Sequence, residues 1–249
     1  MRVPRISSAV LVVAIVALSA PALAQVVTSA VEPQESGAPS SWLSLSYAHL
    51  FETDLDNTPV EVDRNSLLAI AGHRFAMSDS SGLTMQAAYQ LSSYDFSGDG
   101  GLLWDDIHQL TTMMMFDWKV GESWTLLAGG LFRFSVESGG DLGESLTGGG
   151  FGGFQYHWSE NLMTGVLFGV MSQIEDDAAV IPLPLLNWKF AESWKLRLGV
   201  SQLGAVGYGP ELTWQVSEDW ELGVGASYQK RRYRLDMADQ VGEETSMPI

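Results

Sequence analysis

Along most of this chain, large apolar side chains alternate one by one with small or polar ones. The cleanest run is Leu83, Met85, Ala87, Tyr89 and Leu91, interleaved with Thr84, Gln86, Ala88, Gln90 and Ser92. A period of two belongs to a β-strand whose two faces meet different surroundings. The pattern predicts eleven strands. Ser41–Phe51, Asp63–Phe75 and the run from Leu83 come first, then Ile107–Val120, Trp124–Glu137, Gly149–Trp158 and Leu162–Gln173. Val180–Phe190, Trp194–Ser201, Tyr208–Val216 and Trp220–Leu235 complete the set.

One spelling recurs where strands turn. Trp188-Lys-Phe-Ala-Glu-Ser-Trp-Lys-Leu196 has close copies at Trp118–Leu126 and Trp214–Leu222, and a looser one at Tyr156–Thr164. In each, large apolar residues sit at every second position on both sides of a tight turn, which keeps them on one face of a hairpin. These short turns alternate with longer acidic or glycine-rich connections, such as Glu52–Glu61, Ser97–Asp106, Ser138–Gly148 and Asp236–Thr245. Short turns at one end and long loops at the other suit a membrane β-barrel, and the strands are long enough to cross a bilayer at a tilt. Seven of the nine tryptophans, Trp118, Trp124, Trp158, Trp188, Trp194, Trp214 and Trp220, lie beside the short turns. Indole rings favour the membrane–water boundary, so this clustering reads as an aromatic girdle.

Composition narrows the picture. Arg2 and Arg5, the apolar run Ala9–Ala20 and the small residues Ala22-Leu-Ala24 read as a cleavable export signal over 1–24. Residues 25–40 read as a flexible lead-in and 41–249 as one barrel domain. The chain has no cysteine and a formal charge of −17, which exclude disulfide stapling and disfavour nucleic acid as a partner.

With the tryptophans facing lipid, the opposite parity faces the interior. It carries Gln86, Gln90, Asp117, Lys119, Arg133, Gln155, His157, Asn187, Lys189, Lys195, Arg197, Glu211, Gln215 and Glu221, with glycines between them. Two readings fit: a water-filled channel kept open by glycine, or charges such as Arg133, Arg197 and Glu211 pairing across a narrow lumen and plugging it. Lys230, Arg231, Arg232 and Arg234 form the densest basic cluster, where guanidinium forks could grip lipopolysaccharide phosphates. Asp105, Asp106 and His108 are the best acid–base group, and a solvated loop explains them as well. No spacing spells a metal, cofactor or catalytic site.

Taken together, the leader, the alternation, the turn asymmetry and the girdle resemble Gram-negative outer-membrane β-barrel proteins, most closely an uncharacterised family of unknown function. The resemblance spans Trp42–Leu235 and implies outer-membrane location, contact with outer-membrane lipid and the assembly machinery, and no enzymatic residue. Bacterial single-chain barrels have even strand numbers. Eleven strands are one short, so about twelve are expected, with the closing strand beyond Ile249. The function expected is a passive narrow pore for small polar solutes or ions; the alternatives are a plugged structural or surface-interaction barrel and, third, an outer-membrane hydrolase.

Overall fold

Thirteen strands and one three-residue 3₁₀ turn, Gly143–Ser145, form an all-β protein. The computed structural model describes residues 9–10, 40–54, 60–98, 104–200, 208–217, 220–226, 228–236 and 240–248. In chain order the strands are β1 (Ser40–Asp54), β2 (Val60–Ser78), β3 (Ser81–Gly98), β4 (Ile107–Val120), β5 (Trp124–Glu137), β6 (Leu146–Ser159) and β7 (Leu162–Gln173). Then come β8 (Asp176–Ala191), β9 (Trp194–Val200), β10 (Tyr208–Gln215), β11 (Glu221–Gly225), β12 (Gln229–Arg234) and β13 (Val241–Pro248). Ala9–Val10 also pairs, in parallel, with Met247–Pro248. The rest of the expected signal, and the lead-in up to Pro39, lie outside the described residues.

β1 to β11 make one antiparallel meander in which each strand bonds to the next. Its ends, β1 and β11, do not pair with each other among the described residues. The short turns fall where the pattern predicts them, for example at Gly121–Ser123, where Gly121 takes φ 71°, a conformation glycine adopts without steric cost. Strands extend beyond their predicted ends on the other side. β2 has 19 residues and β3 has 18, against the roughly 9–11 that cross a bilayer.

The end of the chain departs from expectation. The predicted strand Trp220–Leu235 is divided into β11 and β12, and a returning strand, β13, follows within the segment expected to be loop and tail. β13 is antiparallel to β12, with Arg231 opposite Glu244 and Arg232 opposite Glu243. The division has a physical cause. Leu222 and Val224 give β11 an apolar outer parity, whereas Lys230, Arg231, Arg232 and Arg234 put charge on both parities of β12. Such a strand lacks the largely apolar face that each wall strand carries.

The β12–β13 hairpin instead lies against the inner face of the meander. Arg231 reaches Ser92 of β3 at 3.3 Å, and the adjacent Arg232 bonds the Ile174 carbonyl beyond β7 at 3.0 Å. In a flat sheet those strands would be four spacings, roughly 19 Å, apart. The sheet therefore curls around the hairpin. Beyond Phe134, where β6 has left β5, Arg234 pairs with Val136 on the vacated edge.

Candidate functional site

Burial follows the predicted parity. Leu45, Phe116, Trp118, Leu126, Phe168 and Trp188 are exposed on the outer face, while Thr84, Gln90, Gln109, Thr125, Gln155 and Thr213 are buried on the inner face. That is the reverse of a soluble core, which buries its apolar side chains and exposes its polar ones. The seven predicted girdle tryptophans, Trp118, Trp124, Trp158, Trp188, Trp194, Trp214 and Trp220, are all exposed. Several stack with neighbours, as Trp194 does with Trp214 at 5.7 Å between ring centres. The other two, Trp42 and Trp104, are buried.

The inner face is layered. Near the short turns, Arg74 pairs with Asp117 at 2.6 Å, and the guanidinium fills the space a side chain at Gly82 would need. Next, Met115, Leu127 and Leu185 meet with Phe151 and Leu167, so inward residues of β4 to β8 converge on one apolar cluster. Gly129, Gly149 and Gly165 do not leave a hollow. Phe151 occupies the space beside Gly129, Met171 that beside Gly149, and Gln155 that beside Gly165.

Above this lies a polar belt that includes Ser66, Gln90, Ser92, Gln109, Ser135 and Thr147, all buried. Arg133 belongs to the same level and donates from Nε to Thr111 at 3.3 Å. The hairpin closes over the belt through one carboxylate. Glu244, 1 % exposed, accepts from Arg64, from Arg231 at 2.7 Å and from the Tyr94 hydroxyl at 2.5 Å. Burial alone would raise the Glu244 carboxyl. The Arg231 and Arg64 charges and the bond from Tyr94 outweigh it and hold the group at about 2. Arg231 moves the opposite way: burial works against its charge, the Glu244 carboxylate overrides that, and the guanidinium is held above its ordinary value. At that end Tyr233 of the hairpin, with Leu235 beside it, packs with Tyr94, Phe96, Trp104, Val60, Val62 and Ile107 in an aromatic lid over the belt.

Each predicted lumen residue is on the inner face, in separate places. Asp117 is paired with Arg74, and Lys119 lies two residues on from it along β4. Arg197 contacts Glu221 at 3.1 Å and stands opposite Glu211 in register, while Arg133 is far from both, at the polar belt. Of the predicted lipopolysaccharide-contact group, Arg231 bonds Glu244, Arg232 bonds Glu243 at 2.8 Å and Arg234 bonds Glu175 at 2.6 Å. Lys230 is described at the backbone only. Among the described residues, His108 bonds Tyr89 at 2.7 Å and Ser138 at 3.0 Å, and neither Asp105 nor Asp106 reaches its ring. No group of three metal-type side chains occurs among the described residues.

The sequence reading missed Arg64, Tyr94 and Glu244. Arg64 and Tyr94 share the inward parity of Ser66 and Ser92, a signal that was available. Glu244 sits in an acidic stretch with no alternation to mark it. A scan of protein-family models finds no match to this chain, and neither does a search of curated proteins.

Proposed function

We propose that this chain is an outer-membrane β-barrel of a Gram-negative-type bacterium, exported by a cleaved leader and occluded by its own C-terminal hairpin. The observation that carries the reading is the inverted surface: exposed apolar side chains on every wall strand from β1 to β11, over a buried polar interior. Lipid is the solvent that rewards such a surface, and the belt of exposed tryptophans beside the short turns marks one boundary of it. Curling of β1 to β11 would close the wall, with outer-membrane lipid and the assembly machinery as its partners. The long-strand end, with the hairpin, would face outward.

Occlusion is favoured over an open pore by two layers in series. The Met115–Leu127–Leu185 cluster covers the inner face of β4 to β8, and the hairpin fastened through Glu244 covers the inner face at the long-strand end. Small barrels commonly fill their interiors with side chains in this way. The role is then structural, or one of presenting the outer loops, rather than bulk flow. The pore reading draws support from the inner side of β9 to β11, where Glu221 is 40 % exposed at its side chain and neither apolar cluster reaches. Single-channel recording on the refolded full-length chain in a planar bilayer separates the two. The occluded barrel gives a quiet baseline from protein whose gel mobility is heat-dependent; steady discrete steps from the same protein would reinstate the pore.

A further inference from the structure

Three guanidiniums, of Arg64, Arg231 and Arg133, share the polar belt and the hairpin above it, and among the described residues Glu244 is the one carboxylate that ion-pairs with any of them. Glu244 contacts the first two. Arg133 has no carboxylate within ion-pairing distance among the described residues; its hydrogen bond goes to the Thr111 hydroxyl. The like charge of Arg231 acts on it as well. The nearest carboxylate along its own strand is Glu137. That group spends its two oxygens on the amides of Asp105 at 2.6 Å and Asp236 at 2.7 Å. The belt thus holds a surplus of positive charge between an apolar cluster on one side and the aromatic cluster on the other, with Arg64 and Arg231 buried and Arg133 half-buried. Uncompensated charge in such a place is costly, and an anion removes the cost.

Further atoms in the same place lack partners. The Nε groups of Arg64 and Arg231 are buried without a hydrogen-bond partner, and so is Oε1 of Gln90. Gln90 adjoins the cluster through Ser92, which it meets at 3.4 Å and which Arg231 also contacts. Guanidinium forks match the paired oxygens of an oxyanion. An orphaned acceptor beside them suits a ligand that can also donate a proton. Phosphate or a phosphate monoester accepts from arginine and keeps a hydroxyl to give; chloride cannot do so.

We propose that the polar belt around Arg133 is a binding site for a small, partly protonated oxyanion of the phosphate class, closed over by the β12–β13 hairpin. It rests on the occluded-barrel reading for the shielding of the interior. The test is calorimetric titration of the refolded full-length chain in detergent with inorganic phosphate, chloride being varied at constant ionic strength. One saturable phosphate per chain is expected, with affinity at least tenfold weaker in Arg133→Gln. Arg133→Lys, which keeps the charge but not the fork, should weaken it too and serves if the glutamine variant does not fold. Arg197→Gln should leave it unchanged. No saturable binding, binding indifferent to both Arg133 variants, or equal competition by chloride would overturn the proposal. Failure of the same protein to insert into lipid vesicles while phosphate still binds would sink the barrel reading alone.

Discussion

The wall strands and the terminal hairpin are both antiparallel β-structure, yet opposite forces hold them. Along the wall, a ladder of backbone hydrogen bonds runs from β1 to β11 and one parity of every strand is apolar. The hairpin has charge on both parities, and it is held to the wall by ion pairs from Glu244 to Arg64 and from Arg234 to Glu175, together with the packing of Tyr233 and Leu235 against Tyr94 and Trp104. The difference teaches a rule of partition. A strand with one apolar face joins the wall, and a strand with none is driven inside, where only matched charge makes it tolerable.

The comparison breaks most sharply at Glu244. Glu244→Gln leaves Arg64 and Arg231 buried against a neutral side chain, a loss of about 3–5 kcal/mol from hairpin docking. Trypsin cleavage after Arg231 or Arg232, with the wall intact, reports the release. Acid does the same to the native chain. The folded carboxyl titrates at about 2 against an ordinary 4.5, so its contribution is full above about pH 4.5 and is lost as pH falls toward 2. The shift corresponds to about 3 kcal/mol. Cleavage should therefore rise across that window, read with an acid-active protease.

Wall changes should act on insertion and leave the hairpin docked. Leu45 is 66 % exposed on the outer face, and Leu45→Lys should cost about 2–4 kcal/mol in lipid, measured by urea titration of refolding into vesicles. On a water-facing strand the same change would be almost silent. Gly242→Val brings the comparison back to the hairpin. A Cβ there would lie 2.2 Å from the Tyr233 ring, so docking should weaken by about 1–3 kcal/mol in the trypsin assay. Trp194→Leu is the mildest, losing one side of the stack with Trp214 and about 0.5–1.5 kcal/mol in the vesicle titration.

Parity made the wall legible. A run such as Leu83 to Ser92 allows one assignment of faces, and the structure buries Thr84, Gln90 and Ser92 accordingly. The short turns and exposed tryptophans were readable for the same local reason. The hairpin was not, because Val241-Gly-Glu-Glu-Thr-Ser-Met-Pro248 has no apolar period, and its Glu244 finds Arg64 and Tyr94 across the fold. Arg64 and Glu244 are 180 positions apart, and nothing local to either names the other. The glycines misled for a related reason. They suggest open space, whereas Phe151, Met171 and Gln155 on neighbouring strands move into it.

The central claim is that the outer face meets lipid, and the absence of cysteine makes it directly measurable by single-cysteine spin labelling. Labels walked along β5 in reconstituted vesicles should alternate: positions such as Leu126, 42 % exposed, collide with dissolved oxygen in the lipid, and positions such as Thr125, 4 % exposed, do not. A period of two in oxygen collision, with a water-soluble nickel chelate excluded from the Leu126 side, is the predicted result. Nickel collisions as frequent at Leu126 as at the loop residue Ser138 would contradict it.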